Sequence, residues 1–330
     1  YLLPPVRLRR PNLQYTRQHH IQLCQPNPRL FTARYRFAPN DARRLHQVLS
    51  PLIAVALISN WTVPVQDQIL IFLRLLMTNA PQGVLMDAYG VCQSTVSNAF
   101  TRVLDAVFSI RTQWISLPVT SLTYCRGSAA AFASYSLFTN VVGLIDGCLI
   151  TISTPQIAPW QYRTRKRTCA INVLCVCDAF GRINYANANW PGSCHDSFIY
   201  RSSNLSTQFT NGNVPSGYVL LGDSGFANGS IVTPWRDTTN DPSKEAFNRE
   251  HRRVRVRIEQ TFGVLKKRFA LLQNGIRMTP EKASKCIIAS IVLHNMYIDS
   301  ISSGFFVPNT VTGVMPHQQR LLLELTLGDT

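Results

Sequence analysis

The feature that most constrains this chain is the run VVGLIDGCLITIS at 141–153. Its β-branched and apolar residues specify a strand buried on both faces, and Asp146 lies in its middle. A carboxylate there is costly unless it is paired or binds a cation. The run therefore predicts both a sheet and a use for one acid. Segments 169–177 and 182–189 predict two more strands, joined by the turn Asp178-Ala179-Phe180-Gly181. Tyr218 to Leu221 predicts another buried strand, which ends in Gly222-Asp223-Ser224-Gly225. Helices are expected at 195–209, at 243–272 and from Thr279-Pro280-Glu281 onward, where an N-cap, a first-turn proline and an early acid coincide. The whole predicts a mixed α/β domain at about 135–300.

The N-terminal part has another texture. Residues 1–50 hold nine basic residues and one acidic one, without clear periodicity, and read as a basic arm with one short helix at 42–49. From Pro64 the pattern turns helical, with Ile69, Phe72, Leu73 and Leu76 at intervals of three and four. The segment QGVLMDAYGVCQSTVSNAFTRV at 82–103 has the spacing of a helix-turn-helix, with Gly90 at the turn. Leu85, Tyr89, Val91, Val96 and Ala99 fall where two crossing helices pack. The second helix is expected to start near Gln93 or Ser94, with Ser94 as cap, and to present Gln93, Ser94, Thr95, Asn98 and Arg102 to DNA. Purely structural hairpins share this pattern, and the basic segment in front of it favours DNA contact. The expected organisation is a basic arm (1–50), a helical helix-turn-helix domain (51–115), an α/β domain (116–300, with a Ser/Thr/Ala-rich connector at 116–135) and a tail (301–330) with a short helix at 320–327.

Composition narrows the function. With 330 residues, 45% hydrophobic and 15% charged, the chain has the core of about two globular domains and is not a disordered polymer. Its longest apolar stretches, 51–59 and 69–77, are short, and Arg74 cuts the second, so no membrane span is expected. The start lacks an apolar run with a cleavage site, which predicts an intracellular protein. The nine cysteines include no CxxC pair and read as reduced core thiols, with Cys175 and Cys177 on one strand face. The charge of +16, from 33 basic and 17 acidic residues, points to a polyanionic partner. Residues 241–277 contribute ten basic and four acidic side chains. Such one-signed blocks favour nucleic acid over a merely solvated face.

Four acids stand out: Asp146, Asp196 at a loop-to-helix entry, Asp223 after a buried strand, and Glu259 in the long helix. At about 100° per residue, Phe247, Val254, Ile258, Phe262, Leu265, Phe269 and Leu272 form one apolar stripe of that helix. Glu259 falls at its margin, with Arg252, Arg255 and Lys266 on the same flank, where they can meet phosphates. Local roles remain open for three of the acids: Asp196 as a cap, Asp223 as a turn residue, Glu259 as the partner of Arg255. Together in a basic chain they suggest Mg²⁺ or Mn²⁺ bound by oxygen ligands.

The motifs Val142-Gly143-Leu144-Ile145-Asp146-Gly147, Trp190-Pro191-Gly192-Ser193-Cys194-His195-Asp196-Ser197, Leu221-Gly222-Asp223-Ser224-Gly225-Phe226 and Arg257-Ile258-Glu259-Gln260-Thr261-Phe262-Gly263-Val264-Leu265-Lys266-Lys267-Arg268-Phe269 resemble those of the PIF/Harbinger family of DDE transposases and the nucleases domesticated from it. The resemblance covers about 140–300, and the family's helix-turn-helix segment matches about 60–108. It implies a ribonuclease H-like α/β domain preceded by an all-helical one. It also implies a catalytic triad of Asp146, Asp223 and Glu259 holding two Mg²⁺ or Mn²⁺, with Asp196 a further metal ligand. The implied activity is DNA cleavage and joining of 3′-hydroxyl ends at transposon termini. Its implied setting is the nucleus, with duplex DNA, a separate Myb-like DNA-binding protein and further copies of this chain as partners. Arg163, Arg165, Lys166 and Arg167, together with the Arg252–Arg257 face, are expected to hold phosphates. The intact acid set argues against a descendant that only binds DNA, which is the alternative reading. A third is a ribonuclease of RNA–DNA hybrids.

Overall fold

The computed structural model describes residues 27–54, 63–226 and 230–303. The readings made for 1–26, including Cys24, and for the tail with its helix at 320–327 lie outside these residues. Compactness divides the chain into two units, Tyr1–Ala106 and Val107–Thr330.

The first unit is helical. Its described elements are α1 (Pro28–Tyr35), α2 (Pro39–Ala54), α3 (Val65–Thr78), α4 (Gln82–Tyr89) and α5 (Gln93–Ser109), the last running on past the unit boundary. The part of the expected basic arm after residue 27 is therefore two helices rather than one short helix at 42–49. Asn27, whose side chain accepts from Leu30 N–H at 3.1 Å, and Pro28 at the first helical position start α1. In α2, Leu45, Leu49 and Ile53 recur every four residues and are buried. That stripe is real, but Arg43 and Arg44 just before it and His46 within it obscure it in the sequence. The turn at Gly90 has the positive φ of 60° expected of it. Leu85, Tyr89, Val96 and Ala99 are buried as expected, while Val91 is only half-buried. The hydroxyls of Tyr35 and Tyr89 meet at 2.8 Å. Ser94 does not cap α5. It lies inside the first turn, 3.1 Å from the Cys92 sulfur.

In the second unit, β1 (Val141–Thr151), β2 (Ala170–Cys177), β3 (Ile183–Pro191), β4 (Val219–Leu221) and β5 (Ile231–Val232) form one sheet in the order β3-β2-β1-β4-β5. β1, β2 and β3 pair antiparallel, whereas β4 and β5 add on parallel to β1. A mixed five-stranded sheet flanked by helices is what the ribonuclease H-like expectation requires. The helices are α6 (Arg111–Trp114), α7 (Leu122–Ala133), α8 (Pro159–Tyr162), α9 (Asp196–Arg201), α10 (Asn204–Thr210), α11 (Pro242–Arg268), α12 (Ala270–Gln273) and α13 (Pro280–Ser303). Four details differ from expectation, the first being that the helix expected at 243–272 breaks at Phe269 into α11 and α12. The connector at 116–135 contains α7, where Ser121 caps and an Ala-rich run supplies helix propensity. The expected helix at 195–209 is two short ones, and β5 is too short for a pattern to reveal.

β2 is buried at every position, with Cys175 and Cys177 fully enclosed. All described cysteines are free thiols. α7, α11 and α12 pack on β1, α9 on β2 and α13 on β3. α11 buries Val254, Ile258, Phe262 and Leu265 of its predicted stripe, each contributing about 1.5–3 kcal/mol of transfer free energy. α13 is fixed to β3 through Asn295, whose amide exchanges hydrogen bonds with Ile183 N–H (3.0 Å) and C=O (2.8 Å), and through the buried Arg182–Asp299 pair. Among the described residues no helix is long and apolar enough to cross a membrane.

Candidate active site

The site is built where β1 and β4 run side by side. Leu144 pairs with Leu221 in parallel register. Asp146 and Asp223 each follow their leucine by two residues, so they sit at the same level on neighbouring backbones. The negative charge of Asp223 helps to raise the pKa of both Asp146 and Asp196, which identifies the three as one electrostatic group.

Burial is the main cause at Asp146, moving its pKa from 3.8 to about 6 against the opposing pull of Arg255. Its Oδ1 accepts from Gly147 N–H at 3.0 Å and its Oδ2 from Arg255 at 2.7 Å. Arg255 also lies 3.3 Å from Glu259 Oε1, one helical turn further along α11. The anticipated Arg255–Glu259 pair therefore exists, but it is one arm of a bridge that ends on Asp146. The Glu259 side chain is 56% exposed, consistent with a margin position.

Asp196 opens α9 without accepting a helix-capping bond, and its first partner is on another strand. Asn172 of β2 donates to Asp196 Oδ1 at 2.6 Å and to the Cys194 carbonyl at 2.8 Å. Burial raises the Asp196 pKa, and the Asn172 bond opposes this. Asp196 also lies flat against β1, since a Cβ at Gly147 would come within 2.0 Å of its Oδ1. Asn172, which no motif contains, and Gly147, which closes the first motif, are the positions against which Asp196 is set. The signal for Asn172 was the one used for Asp146, a polar residue in the apolar strand AINVLCVC.

A cavity of about 830 Å³ opens beside the acids. Arg163, Arg165, Lys166, Lys266, Asp196 and Glu259 all line it. The basic loop is a tight turn, with Arg167 N–H bonded to the Thr164 carbonyl at 2.9 Å and Arg167 itself at a φ of 63°. Lys266 donates to the Leu149 carbonyl at 3.1 Å, and Arg252 is exposed on α11. In the first unit Gln93, Ser94, Asn98 and Arg102 are exposed and Thr95 is half-buried.

The donor chemistry suits a hard divalent cation, since the charge of Asp223 raises the pKa of Asp146 and of Asp196 and a positive charge among these carboxylates offsets that repulsion. Among the described residues, however, no three acids converge as a ready metal cage. The Arg255 guanidinium supplies the positive charge between Asp146 and Glu259.

One α/β domain thus carries acids on a central strand, after the end of its parallel neighbour and on a helix packed on the sheet, together with a cavity lined by basic residues. Residues 145–295 match the model of the DDE superfamily endonuclease family. The chain is 30% identical over 238 residues to "Putative nuclease HARBI1" of Rattus norvegicus, covering 71% of this chain and 67% of that one. The Homo sapiens protein of the same name is 28% identical over 237 residues, with the same coverage. "Protein ALP1-like" of Arabidopsis thaliana is 24% identical over 250 residues, covering 71% of this chain and 60% of that one. No solved structure matches significantly. The chain belongs to the DDE superfamily endonucleases, among the Harbinger-derived nuclease-like proteins, a superfamily that generally uses divalent metals.

Proposed function

We propose that this protein is a divalent-metal-dependent DNA endonuclease and transposase acting at transposon ends. The observation that carries the reading is the electrostatic group of Asp146, Asp196 and Asp223, tied through Arg255 to Glu259, on the domain whose cavity is lined by Asp196, Glu259, Arg163, Arg165, Lys166 and Lys266. Asp146, Asp223 and Glu259 are the residues to hold two Mg²⁺ or Mn²⁺, with Asp196 an additional ligand. Such ions supply an acidified water or 3′-hydroxyl nucleophile and stabilisation of a departing 3′-oxygen. The chain's own residues do the rest. Arg163, Arg165, Lys166, Arg167, Arg252 and Lys266 bind phosphates and set the strand's register over the acids. Asn172 and Gly147 set Asp196 against β1, and Arg255 pairs with both Asp146 and Glu259 before the substrate arrives.

In this reading the α4–Gly90–α5 hairpin is a helix-turn-helix DNA contact, with Gln93, Ser94, Thr95, Asn98 and Arg102 toward the duplex. The organisation into an N-terminal basic segment, a helical domain, a catalytic domain and a tail belongs to the same proposal. So do action as a homo-oligomer with a Myb-like DNA-binding partner, and a nuclear location.

The experiment is cleavage of supercoiled plasmid by wild type and Asp223→Asn, in Mg²⁺ or Mn²⁺ and in EDTA, with binding followed in parallel. Metal-dependent nicking that the variant lacks supports the nuclease. Binding by both proteins with cutting by neither supports a silent DNA-binding descendant, the reading favoured by the Arg255 bridge across Asp146 and Glu259.

A further inference from the structure

Trp235, in the loop between β5 and α11, leaves 55% of its surface exposed, yet its backbone is held firmly. Asn248 of α11 accepts from Trp235 N–H at 2.8 Å and donates to the Trp235 carbonyl at 2.8 Å. The next residue, Arg236, donates to the carbonyl of Ser224 at 3.2 Å, beside Asp223. The loop is thus tied both to the helix that carries Glu259 and to the turn that carries Asp223. Lys244 lies 5.3 Å from the indole centroid while also pairing with Asp241, the N-cap of α11, at 3.2 Å. With Lys244 over one face of the indole and 55% of the residue exposed, the rest of this fixed aromatic surface is open to a ligand.

The helix says what fits there. Lys244, Asn248, Arg252 and Arg255 precede Glu259 at intervals of four, four, three and four residues, the spacing of one helical face. Lys244 and Arg255 on this face are paired with acids and Arg252 between them is exposed, so a ligand on Trp235 that reaches Glu259 must present a flat face at one end and negative charge toward Arg252. Nucleic acid has both. The eleven helical steps from Asn248 to Glu259 span about 16 Å at ~1.5 Å each, or about five stacked nucleotides at ~3.4 Å. A base inside a duplex is already stacked on both sides, so only an unpaired base can lie on the indole.

We propose that Trp235 is a stacking platform for an unpaired base within about five nucleotides of the phosphodiester bond at the acid site. This rests on the nuclease reading and deepens it, because it gives the enzyme a preference for DNA with frayed or overhanging strands near the cut.

The test uses the full chain in EDTA, so that no strand is cut, with a blunt duplex and with the same duplex carrying a short unpaired end that contains 2-aminopurine. Trp235→Ala is expected to weaken binding of the unpaired-end DNA about tenfold, to leave the blunt duplex within about twofold, and to relieve quenching of 2-aminopurine. Trp235→Phe is expected to keep most of both signals. Equal loss on both DNAs, or none on either, overturns the platform. If wild type nicks plasmid while the alanine variant binds both DNAs as wild type does, only the platform falls. If wild type binds no DNA, the nuclease reading falls with it.

Discussion

The Arg255 guanidinium stands 2.7 Å from Asp146 Oδ2 and 3.3 Å from Glu259 Oε1, joining the middle of β1 to the middle of α11. Its side chain is 19% exposed and that of Asp146 13%, so the pair is partly desolvated and its loss leaves a carboxylate without its cation. In EDTA, Arg255→Gln should destabilise the protein by about 1–3 kcal/mol, below the range for a fully buried pair because of that exposure. Mg²⁺ should then raise the melting temperature of the variant more than that of wild type, since a bound ion stabilises the native state. An equal metal response in both proteins refutes the idea that Arg255 holds the cation's place.

Asp146 carries a pH signature. Its pKa moves from 3.8 to about 6 on burial, so the native state holds a proton that the unfolded chain has already released. The stability this gives is complete below 3.8 and is lost as pH rises through 6. Without metal, Asp146→Asn should therefore raise the unfolding free energy by about 1–3 kcal/mol at pH 7.5, and this gain should shrink by about 2 kcal/mol at pH 4.5. Urea denaturation at the two pH values measures it. A gain of the same size at both means that the substitution acts through packing rather than through ionisation.

Gly147 makes room for Asp196. A Cβ at 147 would press on both carboxylate oxygens of Asp196, so Gly147→Ala should cost about 1–3 kcal/mol and lower nicking although every acid is retained. Gly263, in the same long helix as Glu259, has open space around its missing Cβ. There the alanine change should stabilise by about 0.5–1 kcal/mol. Thermal unfolding of the two variants gives opposite signs if the contact at Gly147 is as described.

Asn172 acts through Asp196, which it holds at 2.6 Å. Asn172→Leu should raise the Mg²⁺ concentration needed for half-maximal nicking by about 10–100-fold, as for other groups that orient a metal ligand, with a smaller loss at saturating metal. A metal titration separates this from a folding defect, which would lower the maximum and leave the midpoint in place.

Much of this arrangement was legible in the sequence because it rests on short-range patterns. An acid in an apolar strand marked Asp146, a glycine after a helical run marked Gly90, and the stripe through Val254, Ile258 and Phe262 marked the buried face of α11 and set Glu259 at its edge. The parts that stayed hidden depend on distance in the chain. Asn172 meets Asp196 across 24 positions and Arg255 meets Asp146 across 109, and no local period encodes either. α1 and α2 were obscured for a different reason. Asn27 and Pro28 resemble loop residues unless the helix they start is already suspected, and Arg43, Arg44 and His46 break up the stripe of Leu45 and Leu49.

The order of the acids along the chain has a consequence for synthesis. β1 emerges from the ribosome with Asp146, but its parallel neighbour β4 and the helix carrying Glu259 follow far later, and parallel pairing waits for the crossover that joins the strands. Any product released before residue 259 lacks one of the four acids. A fragment that stops short of residue 259 can hold Asp146, Asp196 and Asp223 but not Glu259, so the four acids come together only once α11 has been made.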